Sequence, residues 1–231
     1  MKDLTTYILT NKGKGISKWL HYPTIYEKHF SRCIGKKITM WEIGVDKGGS
    51  LQMWKDYFGD RATIVGLDIV PEYKNYKYED SKIQIRIGDQ ADTAYLQDVI
   101  DEFGVPDILL DDGGHTMDQM NITFDYVYPK MKLGSIYMVE DTHTCYWEEF
   151  DGGINNPKTF TNRCKDFIDL INAHHTRGVI EPNEFTNTTF SMHIYDSVVC
   201  FEKDEIPQRE CPMIGLWDRN SLITAGHLGV E

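Results

Sequence analysis

Asp112, Glu140 and Asp141 are three carboxylates that close two short apolar runs, Asp107-Ile108-Leu109-Leu110-Asp111 and Ser135-Ile136-Tyr137-Met138-Val139-Glu140. If these runs are neighbouring parallel strands, their carboxyl ends bring the three acids together. Carboxylates a few ångströms apart repel one another unless protonated or bridged by a cation. An all-oxygen donor set suits a hard divalent ion, Mg²⁺ first, with Mn²⁺ or Ca²⁺ as alternatives. The competing reading is a set of separately solvated acids in an acidic chain. His115 and His143 lie in the same two segments. A histidine beside a cation-activated hydroxyl can take its proton near neutral pH. His143, two residues past Asp141, is the expected general base, and His115 is the second catalytic candidate.

The elements that must position these groups read as an alternation. Strand-like runs occur at 38–43, 63–68, 83–87, 107–111 and 135–140, and helical spacing occurs at 51–58, 92–103 and 117–131. Strands alternating with helices imply right-handed crossovers and a parallel sheet. In such sheets ligands bind beyond the carboxyl ends of the strands, and here every strand ends in polar residues there. Strand one gives Glu42 and the turn Gly44-Val45-Asp46-Lys47-Gly48-Gly49-Ser50. Strand two gives Asp68, strand three Asp89 and Gln90, and strand four Asp111 and Asp112. A helix is expected over 160–174 and loop over 176–189. The β-rich runs 190–195 and 197–202 are close enough in sequence only for an antiparallel hairpin on the sheet edge. Residues 1–36 read as a short helical cap before an α/β domain over 37–231. The tail 203–231 carries no pattern.

The glycine turn is not GxGxxG, which counts against a dinucleotide. Its small residues still let a ligand approach the backbone and the next helix N-terminus. Asp68 at the end of strand two suits both hydroxyls of a ribose, a feature of nucleosides in general; a helix cap or solvated strand end is the plainer alternative. With 24 Lys and Arg against 36 Asp and Glu, the net charge of −12 argues against nucleic-acid or anionic-membrane partners. No apolar run approaches membrane-span length. Met1-Lys2-Asp3 opens no signal peptide, and the five scattered cysteines read as free thiols in a cytoplasmic protein.

Several stretches together resemble class I S-adenosylmethionine-dependent methyltransferases: Glu42-Ile43-Gly44 with Gly48-Gly49-Ser50-Leu51, Asp68, and Gly88-Asp89-Gln90-Ala91-Asp92. The closer similarity is to bacterial sugar O-methyltransferases of the mycinamicin-type macrolide-modifying group. It rests on Asp111-Asp112-Gly113-Gly114-His115, on Val139-Glu140-Asp141-Thr142-His143-Thr144-Cys145-Tyr146-Trp147, on His193-Ile194-Tyr195-Asp196-Ser197, and on Tyr22…Tyr26-Glu27. The resemblance covers about residues 20–202. It implies a Rossmann-like, seven-stranded, mostly parallel sheet in the order 3-2-1-4-5-7-6, with helices on both faces. It implies a cofactor set of Glu42, Gly44, Gly48, Ser50, Asp68, Asp89, Gln90 and Asp111. It further implies Mg²⁺ on Asp112, Glu140 and Asp141, with His143 as base. Position 46 is Asp where many class I enzymes carry Gly, and nothing here matches the long N-terminal domain of the macrolide enzymes.

The expected function is therefore methyl transfer from S-adenosylmethionine to a hydroxyl of a sugar or glycosylated small molecule, by a chain able to form a homo-oligomer. Three other readings compete. The same motifs resemble cephalosporin hydroxylase-like proteins, in which His115, His143 and one acid would form a two-histidine, one-carboxylate iron site. A nicotinamide dehydrogenase lacks its glycine fingerprint here. A non-catalytic nucleoside- or sugar-binding module leaves the acid cluster without a purpose.

Overall fold

The computed structural model describes residues 3–212. Seven strands form one sheet: β1 (Thr39–Ile43), β2 (Thr63–Asp68), β3 (Ile83–Ile87), β4 (Ile108–Asp111), β5 (Ile136–Val139), β6 (Thr189–Tyr195) and β7 (Val198–Lys203). Their order is β3-β2-β1-β4-β5-β7-β6. The first five are parallel, and β7 runs antiparallel to both β5 and β6. This is the class I methyltransferase sheet, with the expected hairpin at its edge.

Strand side chains alternate between the two faces. Met40, Ile64, Ile108, Leu110, Ile136 and Met138 enter one buried cluster. Trp41, Val65, Leu109, Tyr137 and Val139 enter the other. The first cluster is covered by α1 (Leu4–Thr10), α2 (Tyr22–Phe30) and α3 (Gly49–Phe58); the second by α4 (Thr93–Phe103), α5 (Met117–Val127) and α6 (Phe160–Ile171). The expected cap thus shares the core of the sheet: Tyr22, Ile25, Tyr26, His29 and Phe30 form the buried face of α2 at helical spacing.

Three boundaries differ from the periodicity. The helix expected to reach residue 131 ends at Val127, where a 3₁₀ turn over Tyr128–Lys130 takes in Pro129. The helix expected to reach 174 ends at Ile171. Part of the loop expected over 176–189 is a five-residue helix, α7 (Glu184–Thr188). Asn183 and Thr186 cap it reciprocally, and Phe185 stacks on Phe167 with ring centroids 4.6 Å apart. The interpretation of 203–231 falls mostly outside the described residues. Among the described residues no helix is long and apolar enough to cross a membrane.

Candidate active site

The turn after β1 is built on backbone that only glycine accepts freely. Gly44 has φ +92°, and a Cβ there would collide with the carbonyl of Asp112. Strand β4 therefore passes beside β1 with no room for a side chain between their ends. Asp46 takes φ +43° without being glycine. A short polar side chain tolerates that conformation.

Asp68 fastens this turn. Its Oδ2 accepts from Val45 N at 2.7 Å and its Oδ1 from Val70 N at 2.9 Å. Each oxygen keeps a second lone pair, so the local cap and a ribose contact are compatible. Asp68 lines a cavity of about 120 Å³ with Gly44, Ile69, Gly88, Asp89, Gln90, Gly113, Gly114 and Gln119. Asp89 uses Oδ1 to cap Ala91 N at 2.9 Å. Gln90 is buried and braces the opposite wall: its Nε2 donates to Asp111 Oδ1 at 2.9 Å and its Oε1 accepts from Gly114 N at 3.0 Å.

Asp111 does not reach this cavity, contrary to the sequence expectation. Odd-numbered β4 side chains point to the face opposite the acids, and its carboxyl is buried against Gln90. Burial raises its pKa to about 7. Glu42 and Ser50 are also off the cavity. They are buried and bonded to each other, Ser50 Oγ donating to Glu42 Oε2 at 2.7 Å. The carbonyl of Gly48 accepts from Tyr78 Oη at 2.7 Å.

The even-numbered positions explain the acid cluster. Residues 40, 108, 110, 136 and 138 share one face, so the side chains of Glu42, Asp112 and Glu140 emerge on that face at the tips of β1, β4 and β5. They converge on one buried cation supplied by the chain itself. Lys18 Nζ lies 2.5 Å from Asp112 Oδ2, 3.1 Å from Glu140 Oε2 and 3.2 Å from Glu42 Oε1. Burial works against the ammonium, but the three carboxylates outweigh it and hold its pKa well above normal. Burial also pushes the carboxyls of Glu42 and Glu140 upward.

Helix α2 supplies the other contacts. Tyr26 Oη donates a short hydrogen bond to Glu140 Oε1, and Tyr22 Oη donates to Asp141 Oδ1 at 2.6 Å. The side-chain oxygens left facing outward are Asp112 Oδ1 and Asp141 Oδ2. His115 Nε2 stands 3.8 Å from the first and 3.6 Å from the second. Among the described residues these three side chains form a group able to share one ion. Both Asp141 and His115 hold left-handed backbone, φ +52° and +60°, the local strain that accumulates at working sites.

The two histidines face different surroundings. Burial lowers the pKa of His115, outweighing the opposite pull of Asp112 and Asp141. His143 turns Nδ1 to Ser197 Oγ at 2.5 Å and lies 3.9 Å from Asp141 Oδ1. Its ring packs edge-on against Trp147 and Trp19. It lines a neighbouring cavity of about 310 Å³ with Tyr146, Thr161, Lys165, Tyr195 and Ser197. Asp112, Glu140, Asp141, Tyr22 and Ser17–Leu20 line a cavity of about 380 Å³.

Sequence reasoning missed Lys18 altogether, and a lone lysine in a polar segment carries no signal. Tyr22 and Tyr26 did carry one: their four-residue spacing puts both on one helix face.

No family model matches the chain. It is 32% identical over 201 residues to the 8-demethyl-8-alpha-L-rhamnosyl tetracenomycin-C 2'-O-methyltransferase of Streptomyces olivaceus, covering 82% of this chain and 52% of that one. It is 30% identical over 227 residues to the mycinamicin VI 2''-O-methyltransferase of Micromonospora griseorubida, covering 91% and 55%. The chain thus spans about half the length of the curated relatives it matches. Among solved structures it superposes on the mycinamycin-pathway methyltransferase MycE, in complex with Mg, S-adenosylhomocysteine and mycinamycin VI. The TM-score is 0.76 at 29% identity, over 96% of this chain and 58% of that one. The chain therefore resembles sugar O-methyltransferases in both sequence and fold.

Proposed function

We propose that this protein is an S-adenosylmethionine-dependent O-methyltransferase that uses Mg²⁺ and acts on a hydroxyl of a sugar or glycosylated small molecule. One observation carries the reading: Asp112 and Glu140, from neighbouring strand tips, meet directly beside the glycine turn. The residues fit both groups. Gly44, Asp68, Asp89 and Gln90 wall a cleft whose backbone leaves no space for larger side chains. Asp112 and Asp141 offer Mg²⁺ one unshared oxygen each, Oδ1 and Oδ2, beside His115, and Glu140 adds a third donor once Lys18 withdraws from its Oε2. When bound, S-adenosylmethionine supplies a methyl group on a sulfonium, and Mg²⁺ a Lewis acid that lowers the pKa of a sugar hydroxyl.

The chain's own part is alignment and proton removal. The β1 turn and Asp68 fix one reactant, and the acids at the tips of β4 and β5 fix the other. Holding oxygen, methyl carbon and sulfur in line removes several kcal/mol from the barrier. As the C–O bond forms and the C–S bond breaks, the hydroxyl proton passes to a histidine. Of the two candidates, His115 takes first place. It faces the open oxygens of Asp112 and Asp141, and burial favours its neutral form. His143, fixed by Ser197 and Trp147 on the adjoining cavity, is placed to shape the acceptor side.

The test is transfer of labelled methyl from S-adenosylmethionine to a panel of rhamnosyl and other deoxysugar glycosides. EDTA should abolish product, and Mg²⁺ should restore it. Transfer undiminished by EDTA contradicts the metal assignment; product on phenolic diols alone contradicts the sugar assignment.

A further inference from the structure

Lys18 occupies the oxygens on which the proposed metal depends. Asp112 Oδ2 and Glu140 Oε2 both lie on its ammonium, and the other oxygen of Glu140 is taken by Tyr26. Glu140 therefore has no oxygen left for a divalent ion while Lys18 is in place. The lysine side chain is 3% exposed, so this is a desolvated contact between four charged groups. Breaking such a set without replacing the cation leaves carboxylates buried and unpaired, which is strongly unfavourable. Exchange of one cation for another avoids that state.

The segment carrying Lys18 has no regular structure to lock it in place. Residues 11–21 join α1 to α2 without helix or strand. Apart from Lys18, the segment is tied to the body of the protein by Gly49 N donating to Gly15 O at 3.0 Å, by His21 Nε2 at 3.2 Å from Asp196 O, by Ile16 packed against the core, and by Lys14 over the rings of Tyr76 and Tyr78. Ser17, Lys18, Trp19 and Leu20 form one wall of the cavity of about 380 Å³ over the acids. Trp19 and Leu20 are largely exposed at that wall, with Trp19 edge-on to His143 as its aromatic contact on the body of the protein.

We propose that Lys18 is an ion-exchange latch. Without a divalent ion, its ammonium neutralises Glu42, Asp112 and Glu140 and fastens the 11–21 strap across the acceptor cavity. Entry of the divalent ion displaces the ammonium, frees the strap and opens the cavity on the side where an acceptor enters. Metal occupancy and acceptor access are thereby coupled, so the cleft opens only when the cation that activates the hydroxyl is present. The latch rests on the metal assignment proposed above.

Mn²⁺ is the probe, because its binding is read directly from the resonance of the free ion. Wild type and Lys18→Met are titrated with Mn²⁺, and amide exchange over residues 13–20 is followed with and without the ion. Lys18→Met should bind Mn²⁺ about tenfold tighter or more, because an internal competitor has gone. In wild type the ion should speed exchange over 13–20 by about tenfold. In the variant exchange should be fast already and unresponsive to metal. Equal Mn²⁺ affinity in the two folded proteins, or wild-type exchange over 13–20 unmoved by bound Mn²⁺, overturns the latch alone. Absence of Mn²⁺ binding in both overturns the metal assignment and the latch with it. The wild-type exchange measurement stands by itself should Lys18→Met fail to fold.

Discussion

Two histidines that look alike in sequence stand in different surroundings and carry distinct proposed work. His115 reaches Asp112 and Asp141 with Nε2, whereas His143 spends Nδ1 on Ser197. Loss of a positioned general base costs about 10²–10⁴ in rate. His115→Ala should therefore lower kcat by that order while leaving the affinity for S-adenosylmethionine unchanged. His143→Ala should act mainly on KM for the acceptor, by about tenfold. Steady-state kinetics with a glycoside acceptor separates them, and the reverse pattern returns the base to His143. Both histidines were legible as candidates because each follows a strand-end acid. The sequence reading put His143 first; the proposal puts His115 first because of the side-chain directions set at the left-handed residues His115 and Asp141. Lys18 was invisible for a different reason: its partner Asp112 lies 94 residues away.

At the scale of elements, the strands were legible to within a residue or two, because apolar runs bounded by glycine and acids leave little choice. The alternation of faces, which the sequence reading did not apply when it placed Asp111 in the cofactor set, accounts for Asp111 turning away from the acids of the site. Helix α2 was read only as part of a cap, yet it delivers Tyr22 and Tyr26 to the acid cluster. What joins α2 to the edge hairpin is a polar cluster. Glu202 on β7 lies 3.1 Å from His29 Nδ1 and 3.3 Å from Arg32 Nη1. The hydrogen bond from His29 holds the Glu202 carboxyl at about 2, down from its ordinary 4.5. The unfolded chain thus binds this proton first as pH falls, and the stabilisation present above pH 4.5 drains away between 4.5 and about 2. Glu202→Gln should be less stable than wild type at pH 7, with the difference shrinking through that acid window. Urea unfolding at pH 7 and pH 3 measures it; a difference constant with pH contradicts the assignment.

At the scale of the whole molecule, a chain of net charge −12 gathers four of its acids at the tips of three parallel strands and sets one buried lysine among them. Alternation of strands and helices predicts the sheet, and the sheet dictates where the acids meet. The cation that fills the space between them was beyond sequence reasoning, because burial and charge pairing across the fold are properties of the packed chain. Calorimetric titration with S-adenosylmethionine, with and without Mg²⁺, decides whether the glycine turn and the acid cluster serve a methyl donor and a cation. Saturable one-to-one binding is expected in both conditions, with a separate Mg²⁺ binding event lost in Asp141→Asn. No heat of binding for S-adenosylmethionine by the folded protein, in either condition, would contradict that assignment.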